Sequence, residues 1–242
     1  MKVAYSIHLH HPNIMFLENR EPELIEEMDR EDCDITMLHN TYRQFHYINS
    51  LLSKWRHIYS HEIKPVLLSQ NSTSLLDIGF GGGDITRSIE KWASLDGFDI
   101  NITAIDPDKR AYKYCRETYT DSSIEWKKCR STDLVADGKK YDIVISNHVL
   151  HHLKDDEVLK LLEESEQLST QKVLFNDIER SAIGYFLFSS LSRIFFRNSF
   201  ITKDGLTSIR RSFKGSELKK LIPKNWRVKR SFPFRIFLVH ER

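Results

Sequence analysis

The sequence predicts an α/β fold: a doubly wound, mostly parallel sheet with helices on both faces and a helical segment before it. Three observations carry that expectation. Short runs rich in Ile and Val, at residues 74–80 (SLLDIGF), 100–106 (INITAID), 141–146 (YDIVIS) and 172–177 (KVLFND), are each followed by a helix-like stretch, at 84–95, 107–118, 154–168 and 179–197. Strands that alternate with helices build a parallel sheet. The runs are apolar nearly throughout, as strands buried on both faces are. Finally, the chain has nine glycines, and four of them, Gly79, Gly81, Gly82 and Gly83, crowd into the five residues between the first run and its helix.

The elements follow in order. The first residues, to about Asn19, read as an irregular tail, and His8, His10 and His11 as chance histidines there, since a metal site needs a geometry such a tail does not supply. Pro22 suits the first turn of a short acidic helix over 21–30. A long helix should come next, because Ile35, Leu38, Tyr42, Phe45, Ile48, Leu52, Trp55 and Tyr59 recur at spacings of three and four. Pro65 should end or kink it. Residues 1–70 thus precede the sheet-bearing unit, 71–242. A third strand lies ahead of Asp133, and the end, 225–241, suits an antiparallel hairpin about Pro233. The most apolar stretch, 182–196, is interrupted by Ser189, Ser190, Ser192 and Arg193, and reads as an amphipathic helix.

Composition sets outer limits. Of 242 residues, 36 are Lys or Arg and 34 Asp or Glu, a net charge of +2. That supplies no strong footprint for nucleic acid, and no nucleic-acid partner is expected. The three cysteines, Cys33, Cys115 and Cys129, form no C-x-x-C pair, which favours a reducing, cytoplasmic setting over a disulfide scaffold. Histidines interrupt the apolar start, so it is not read as a secretory signal. No run approaches the roughly 18 apolar residues of a membrane span.

The glycine cluster carries the chemistry. An apolar strand, Leu75-Leu76-Asp77-Ile78, runs into Gly79-Phe80-Gly81-Gly82-Gly83, and Asp84-Ile85-Thr86 opens a helix. Glycine serves where backbone bends sharply or a ligand approaches it, and the free N–H groups of the helix start then face that ligand. The dinucleotide pattern G-x-G-x-x-G is broken, because Asp84 stands at its last position. The pattern D-x-G-x-G-x-G is met in full by Asp77, Gly79, Gly81 and Gly83. An acid before the glycines suits a ligand bearing an ammonium group and repels a pyrophosphate. The second strand ends at Asp106-Pro107, and a carboxylate there can accept both hydroxyls of a ribose. Asp133, in Thr132-Asp133-Leu134, can receive an adenine amino group. The fourth strand runs out through Asn147-His148-Val149-Leu150-His151-His152-Leu153. Polar residues therefore fall at the carboxyl ends of four successive strands, where open α/β sheets bind ligands. The bland alternative is a set of turn glycines and exposed acids with no cofactor.

Over about 73–178, these motifs in this order resemble class I S-adenosylmethionine-dependent methyltransferases. The resemblance implies a seven-stranded Rossmann-like sheet with S-adenosylmethionine as cofactor. It implies Asp77, Gly79, Phe80, Gly81 and Gly83 at the methionine end, Asp106 and Pro107 at the ribose, Thr132, Asp133 and Leu134 near the adenine, and Asn147 and His148 beside the cofactor. Enzymes of this kind that methylate DNA bases or protein glutamine commonly carry Asn/Asp-Pro-Pro-Tyr after the fourth strand, whereas Asn147-His148-Val149-Leu150 has no proline. His151-His152-Leu153 is similar to the ending common in small-molecule methyltransferases.

The flanks resemble something narrower. Residues 27–29, 42–49, 176–181, 204–213 and 232–235 resemble a bacterial subfamily associated with type III polyketide synthases, which implies a hydrophobic aromatic or polyketide-like small-molecule acceptor, methylated on oxygen. An N-terminal helical lid and the segment after the fifth strand, about 179–215, commonly close the acceptor pocket in this superfamily. Tyr42, Arg43, Asp177, Arg180, Tyr185, Arg211 and Arg235 are the candidate acceptor-side residues. The charges among them, with Asp204, either pair with one another or hold an anionic acceptor. Phe186, Phe188, Leu191, Phe195 and Phe196 either line an apolar cavity or simply pack a helix. His148 and His151 are candidate general bases, with His152 behind them. No metal is expected. A monomer or homodimer fits, and the competing readings are methylation of RNA or protein, a nicotinamide oxidoreductase, and a non-catalytic cofactor-binding protein.

Overall fold

The computed structural model describes residues 17–242, so His8, His10 and His11 lie outside the described residues. Seven strands form one sheet: β1 (Thr73–Ile78), β2 (Ile100–Ile105), β3 (Glu125–Lys127), β4 (Tyr141–Asn147), β5 (Ser169–Ile178), β6 (Arg227–Ser231) and β7 (Arg235–Glu241). Their order is β3-β2-β1-β4-β5-β7-β6. β1 to β5 run parallel, and β7 is antiparallel to both β5 and β6. The doubly wound, mostly parallel sheet expected from the sequence is the one observed.

Burial explains why the central strands read as unbroken apolar runs. Successive side chains of a strand point to opposite faces. Leu75, Ile143, Ile145 and Leu174 join one core with Leu38, Trp55, Tyr59, Ile63 and Ile89. Leu76, Val144, Val173 and Phe175 join a second core with Val158, Leu162, Leu218 and Trp226 on the other face. The first core is covered by α1 (Ile35–Leu52), α2 (Trp55–Ile58), α3 (Lys64–Ser69), α4 (Asp84–Leu95) and α5 (Lys109–Thr118). The second is covered by α6 (Ser131–Ala136), α7 (Asp155–Leu168) and the later α10 (Gly215–Leu221). The chain winds outward from β1 to β3 and then crosses back to β4, so the strand order reverses between β1 and β4. Ligands of open α/β sheets bind at such a switch point.

Three expectations are corrected. The acidic helix over 21–30 is only a single 3-10 turn, Glu27–Asp29. The N–H groups of Glu27 and Met28 donate to the Asp204 carboxylate, at 2.8 and 3.0 Å, rather than to helical carbonyls. The long helix is divided: α1 stops at Leu52, Lys54 turns left-handed at φ 59°, and α2 starts at Trp55. Pro65 neither ends the helical course nor breaks it sharply. A π turn, Tyr59–Ile63, comes before it, with the Lys64 N–H donating to Tyr59 five residues back. A widened turn accommodates a ring that would otherwise strike the preceding turn, and α3 runs on to Ser69.

The third correction concerns the apolar helix. α8 (Ala182–Phe195) is followed by α9 (Ile201–Arg211), and α8 buries its small side rather than its apolar one. Gly184 lies against the Phe234 ring, and Gly205 of α9 against Phe188, where a Cβ would collide. Phe186 and Phe195 are 61% and 72% exposed, and Leu191 also faces outward. For Phe186, Leu191 and Phe195 neither an apolar cavity nor inward packing holds, whereas Phe188 packs on Gly205 and Phe196 is half-buried. Among the described residues, no helix is long and apolar enough to cross a membrane.

Asp204→Ala should destabilise the chain by about 1–3 kcal/mol, because it strands two N–H groups that fold the 26–29 segment onto α9. Urea unfolding should show a lower midpoint at unchanged slope.

Candidate active site

Three carboxylates converge where β1, β2 and α4 meet. Asp77 near the end of β1 is 2% exposed and accepts from the Thr86 hydroxyl. Asp84 opens α4 and accepts from Asn49 Nδ2 of α1 at 3.0 Å. Asp106 follows β2 and accepts the N–H groups of Gly81 at 2.9 Å and Asp108 at 2.8 Å. Among the described residues, none of the three has a Lys or Arg within ion-pair distance. Burial pushes Asp77 up to about 7, with Asp84 and Asp106 adding repulsion. Burial pushes Asp84 and Asp106 up to about 6. The crevice is thus rich in negative charge and short of cations.

The glycine loop lies across it. Gly79 and Gly81 take positive φ, 80° and 52°. Gly79 lies so close to Val149 that a Cβ would collide, while nothing lies within 4 Å of where a Gly81 Cβ would be. The backbone at Gly81 is therefore open to an incoming ligand. Phe80 is buried against the edge of Trp126. Beyond Asp106, whose N–H donates to Lys127, a cavity of about 500 Å³ is lined by Tyr112, Trp126, Lys127, Cys129, Asp133 and Leu134. The Trp126 Nε1 is buried there without a partner. Asp133 spends one oxygen on the Arg130 N–H that caps α6, and Thr132 donates to Glu164. Pro107 is exposed at the rim.

A second cluster follows β4. Asn147 accepts from Trp55 Nε1 at 2.9 Å. His148 has a left-handed backbone, φ 61°, and its Nε2 sits 2.7 Å from Arg235 Nη2. Arginine can only donate, so His148 is neutral there with its proton on Nδ1. Burial and the Arg235 charge hold its pKa well below the ordinary histidine value. His151 has both ring nitrogens occupied, Nδ1 by Asp177 at 2.6 Å and Nε2 by Glu26 at 3.4 Å. Burial opposes its charge, but Asp177 and Glu26 outweigh burial and raise it to about 9. Burial likewise opposes the two carboxylates, yet the histidines hold Glu26 at about 2 and Asp177 lower than an ordinary Asp. Glu26, His151 and His152 could share a cation, as could His148, His151 and Asp177. Their ligand atoms are largely committed to one another and to Arg235, so a metal would have to break those bonds.

The other acceptor-side candidates separate. Tyr42 is buried against the Gly82 backbone. Arg43 is exposed and bonds to His39 and Asn40 of its own helix. Tyr185 stands in the first turn of α8 beside Phe186. Arg180 donates to the Leu17, Glu18 and Ser212 carbonyls and to both oxygens of Glu217. Arg211 donates to the carbonyls of His151 and His152, at 3.2 and 3.0 Å.

Comparison with known proteins agrees with this geometry. Residues 75–171 match a family described as a methyltransferase domain. Over those residues the chain carries a methyltransferase domain. No curated protein matches the sequence. Among solved structures it is similar to the plantazolicin methyltransferase BpumL bound to S-adenosylhomocysteine (SAH), with a TM-score of 0.59, 15% identity, and 86% of this chain and 95% of that one covered. It is similar to human N-acetylserotonin methyltransferase with S-adenosylmethionine (TM-score 0.60, 13% identity, 86% and 56% covered). It is also similar to the magnesium protoporphyrin IX methyltransferase of Synechocystis PCC 6803 with SAH (0.51, 12%, 83% and 92%).

Around that domain, the structure brings to the site residues that the sequence analysis did not place there: Glu26, Asn49, Trp55 and Arg20. Arg20 donates to the carbonyls of Arg211, His151 and Leu153. None comes after a strand or a glycine turn, so no local pattern marks them.

The raised carboxylates give a pH dependence. Each must be ionised to hold a cationic ligand, and each protonates above the ordinary carboxylate range. Binding of S-adenosylmethionine should therefore release protons near neutral pH and weaken as pH falls from about 8 to about 5. Calorimetry in buffers of different ionisation enthalpy reads both effects, and a pH-independent affinity would contradict the assignment.

Proposed function

We propose that this enzyme moves a methyl group from S-adenosylmethionine to an oxygen of a small, hydrophobic aromatic or polyketide-like acceptor. The observation that carries the reading is a trio of carboxylates, Asp77 and Asp84 buried and Asp106 half-buried, with no Lys or Arg paired to them among the described residues, at the reversal of strand order. Hydrogen-bonded acids held away from water without a paired cation are costly unless a ligand brings the compensating charge. S-adenosylmethionine carries an ammonium and a sulfonium, and when bound it supplies an electrophilic methyl group.

The residues divide accordingly. Asp77, Gly79, Phe80, Gly81 and Gly83 are proposed to hold the methionine end. Asp106 and Pro107 take the ribose, with the Asp106 oxygens exchanging their N–H donors for hydroxyls. Thr132, Asp133 and Leu134 border the adenine, and the unpartnered Trp126 Nε1 and the cavity beside it suit a planar heterocycle. Asn147 and His148 lie beside the cofactor.

Residues 1–70 are proposed as tail and lid, 71–242 as the methyltransferase domain, and 179–215 as its acceptor-side insertion. Supporting this, Asn49, Ser53 and Trp55 bond to Asp84, Asn176 and Asn147 along the carboxyl edge of the sheet. The solved neighbours include enzymes named for small molecules, and the small net charge supplies no strong electrostatic footprint for a nucleic acid. His151, charged and held at both nitrogens, suits a positioning role better than that of a base. Alignment and exclusion of water then supply most of the rate.

Asp106→Ala should leave the fold intact by circular dichroism and weaken SAH binding at least tenfold, since two charge-assisted hydrogen bonds are lost. Wild-type affinity by calorimetry would sink the ribose assignment. Incubating the wild type with S-adenosylmethionine and a panel of phenols, with products read by mass spectrometry, tests the acceptor class.

A further inference from the structure

Three buried arginines lie behind the histidine cluster, and one differs from the others. Arg180 is 2% exposed and saturated by three carbonyls and a carboxylate. Arg211 is held by two carbonyls and faces Asp29 at 3.7 Å. Arg235 is 4% exposed, yet among the described residues its side chain makes one hydrogen bond, to a neutral acceptor, His148 Nε2. Its Nε is buried with no hydrogen-bond partner among the described residues.

The nearby acid does not fill the gap. Asp177 acts on Arg235 through its field. Its oxygens, however, are committed to the ring and N–H of His151 and to the Ile178 N–H. Glu26, the other buried acid of the cluster, serves His151 and Ser208. A guanidinium offers five donors and is matched by planar oxyanions. Leaving most of them unmet inside a protein is costly, and it is found where a ligand completes the set.

Its location fits such a ligand. Arg235 opens β7 opposite Ile178, at the sheet edge where β4 ends in Asn147 and His148. His148, partly open to solvent, holds a left-handed backbone conformation that non-glycine residues adopt at a cost, a kind of strain found at ligand sites. Its Nδ1 carries the proton, so it too is a donor.

We propose that Arg235 and His148 bind the acceptor as an oxyanion, so that the acceptor is an acidic phenol or enol held in its ionised form. This rests on the small-molecule reading above and narrows it. The acceptor's proton then goes to solvent before the acceptor is bound, and no side chain has to remove it within the site. That agrees with a cluster in which His151 is already charged and His148 already gives its Nε2 lone pair to Arg235.

The test uses 4-nitrophenol, whose phenolate and phenol differ in absorbance, with the full chain saturated by SAH. Wild-type protein should lower the probe's apparent pKa by about one unit or more, a tenfold preference for phenolate. It should also bind 4-nitrophenol at least tenfold more tightly than its neutral methyl ether. Arg235→Gln should abolish the shift and the preference while leaving SAH affinity unchanged, and Arg235→Lys should keep part of both. The wild-type spectra stand even if Arg235→Gln does not fold. An unshifted spectrum, no binding of the probe, or equal binding of the ether, with SAH bound, overturns the oxyanion site. Failure to bind SAH would instead overturn the methyltransferase reading beneath it.

Discussion

The His151 imidazolium, held between Asp177 and Glu26, ties the N-terminal segment to the carboxyl edge of the sheet. Asp177 belongs to the central sheet, Glu26 to an irregular N-terminal segment, and His151 to the turn after β4. Each ion is buried, and each is tolerable only because the other two are present. With His151 in place, the Leu150–His152 carbonyls face Arg20 and Arg211, which bring in the N-terminal segment and α9. The rim of the crevice is therefore assembled by charge, whereas the sheet beneath it is assembled by apolar burial.

The two sides of that rim are electrostatically opposite. Around the glycine loop, carboxylates have no paired Lys or Arg among the described residues. Around His148, the Arg235 guanidinium has no carboxylate within ion-pair distance among the described residues. A protein that neutralised both internally would be more stable and would have nothing to offer a ligand. On the proposed reading, donor and acceptor of the methyl group are sorted by sign, a cationic molecule on one side and an anionic one on the other.

Much of this was legible in the sequence because it is local. The strand, the glycine turn and the start of α4 are contiguous, and the acids at the ends of β1 and β2 stand at fixed distances from glycine or proline. α4 begins and ends where the pattern places it. What escaped depends on distant partners. Glu26 looks like one acid in an acidic run until His151 is seen beside it. The break at Ser53–Lys54 is hidden because Leu52, Trp55 and Tyr59 keep a helical spacing across it. α8 misled in the other direction: its apolar residues suggested an inward face, but Gly184 and Gly205 allow close approach on the small side. The pairing of Arg180 and Arg211, and the incomplete pairing of Arg235, are properties of three-dimensional neighbours that no spacing records.

The borders of the sheet carry a consequence of their own. β3, at one border, is three residues long, and β6, at the other, reads Arg-Val-Lys-Arg-Ser. A bare strand edge offers its backbone to any passing chain. Here one border is too short to template such an addition, and the other carries Arg227, Lys229 and Arg230, ion-paired to Glu241, Glu62 and Glu179, which an added strand would have to crowd. Association by strand pairing between molecules is thus discouraged at both ends, so the apolar strands between them can be as sticky as a buried sheet requires.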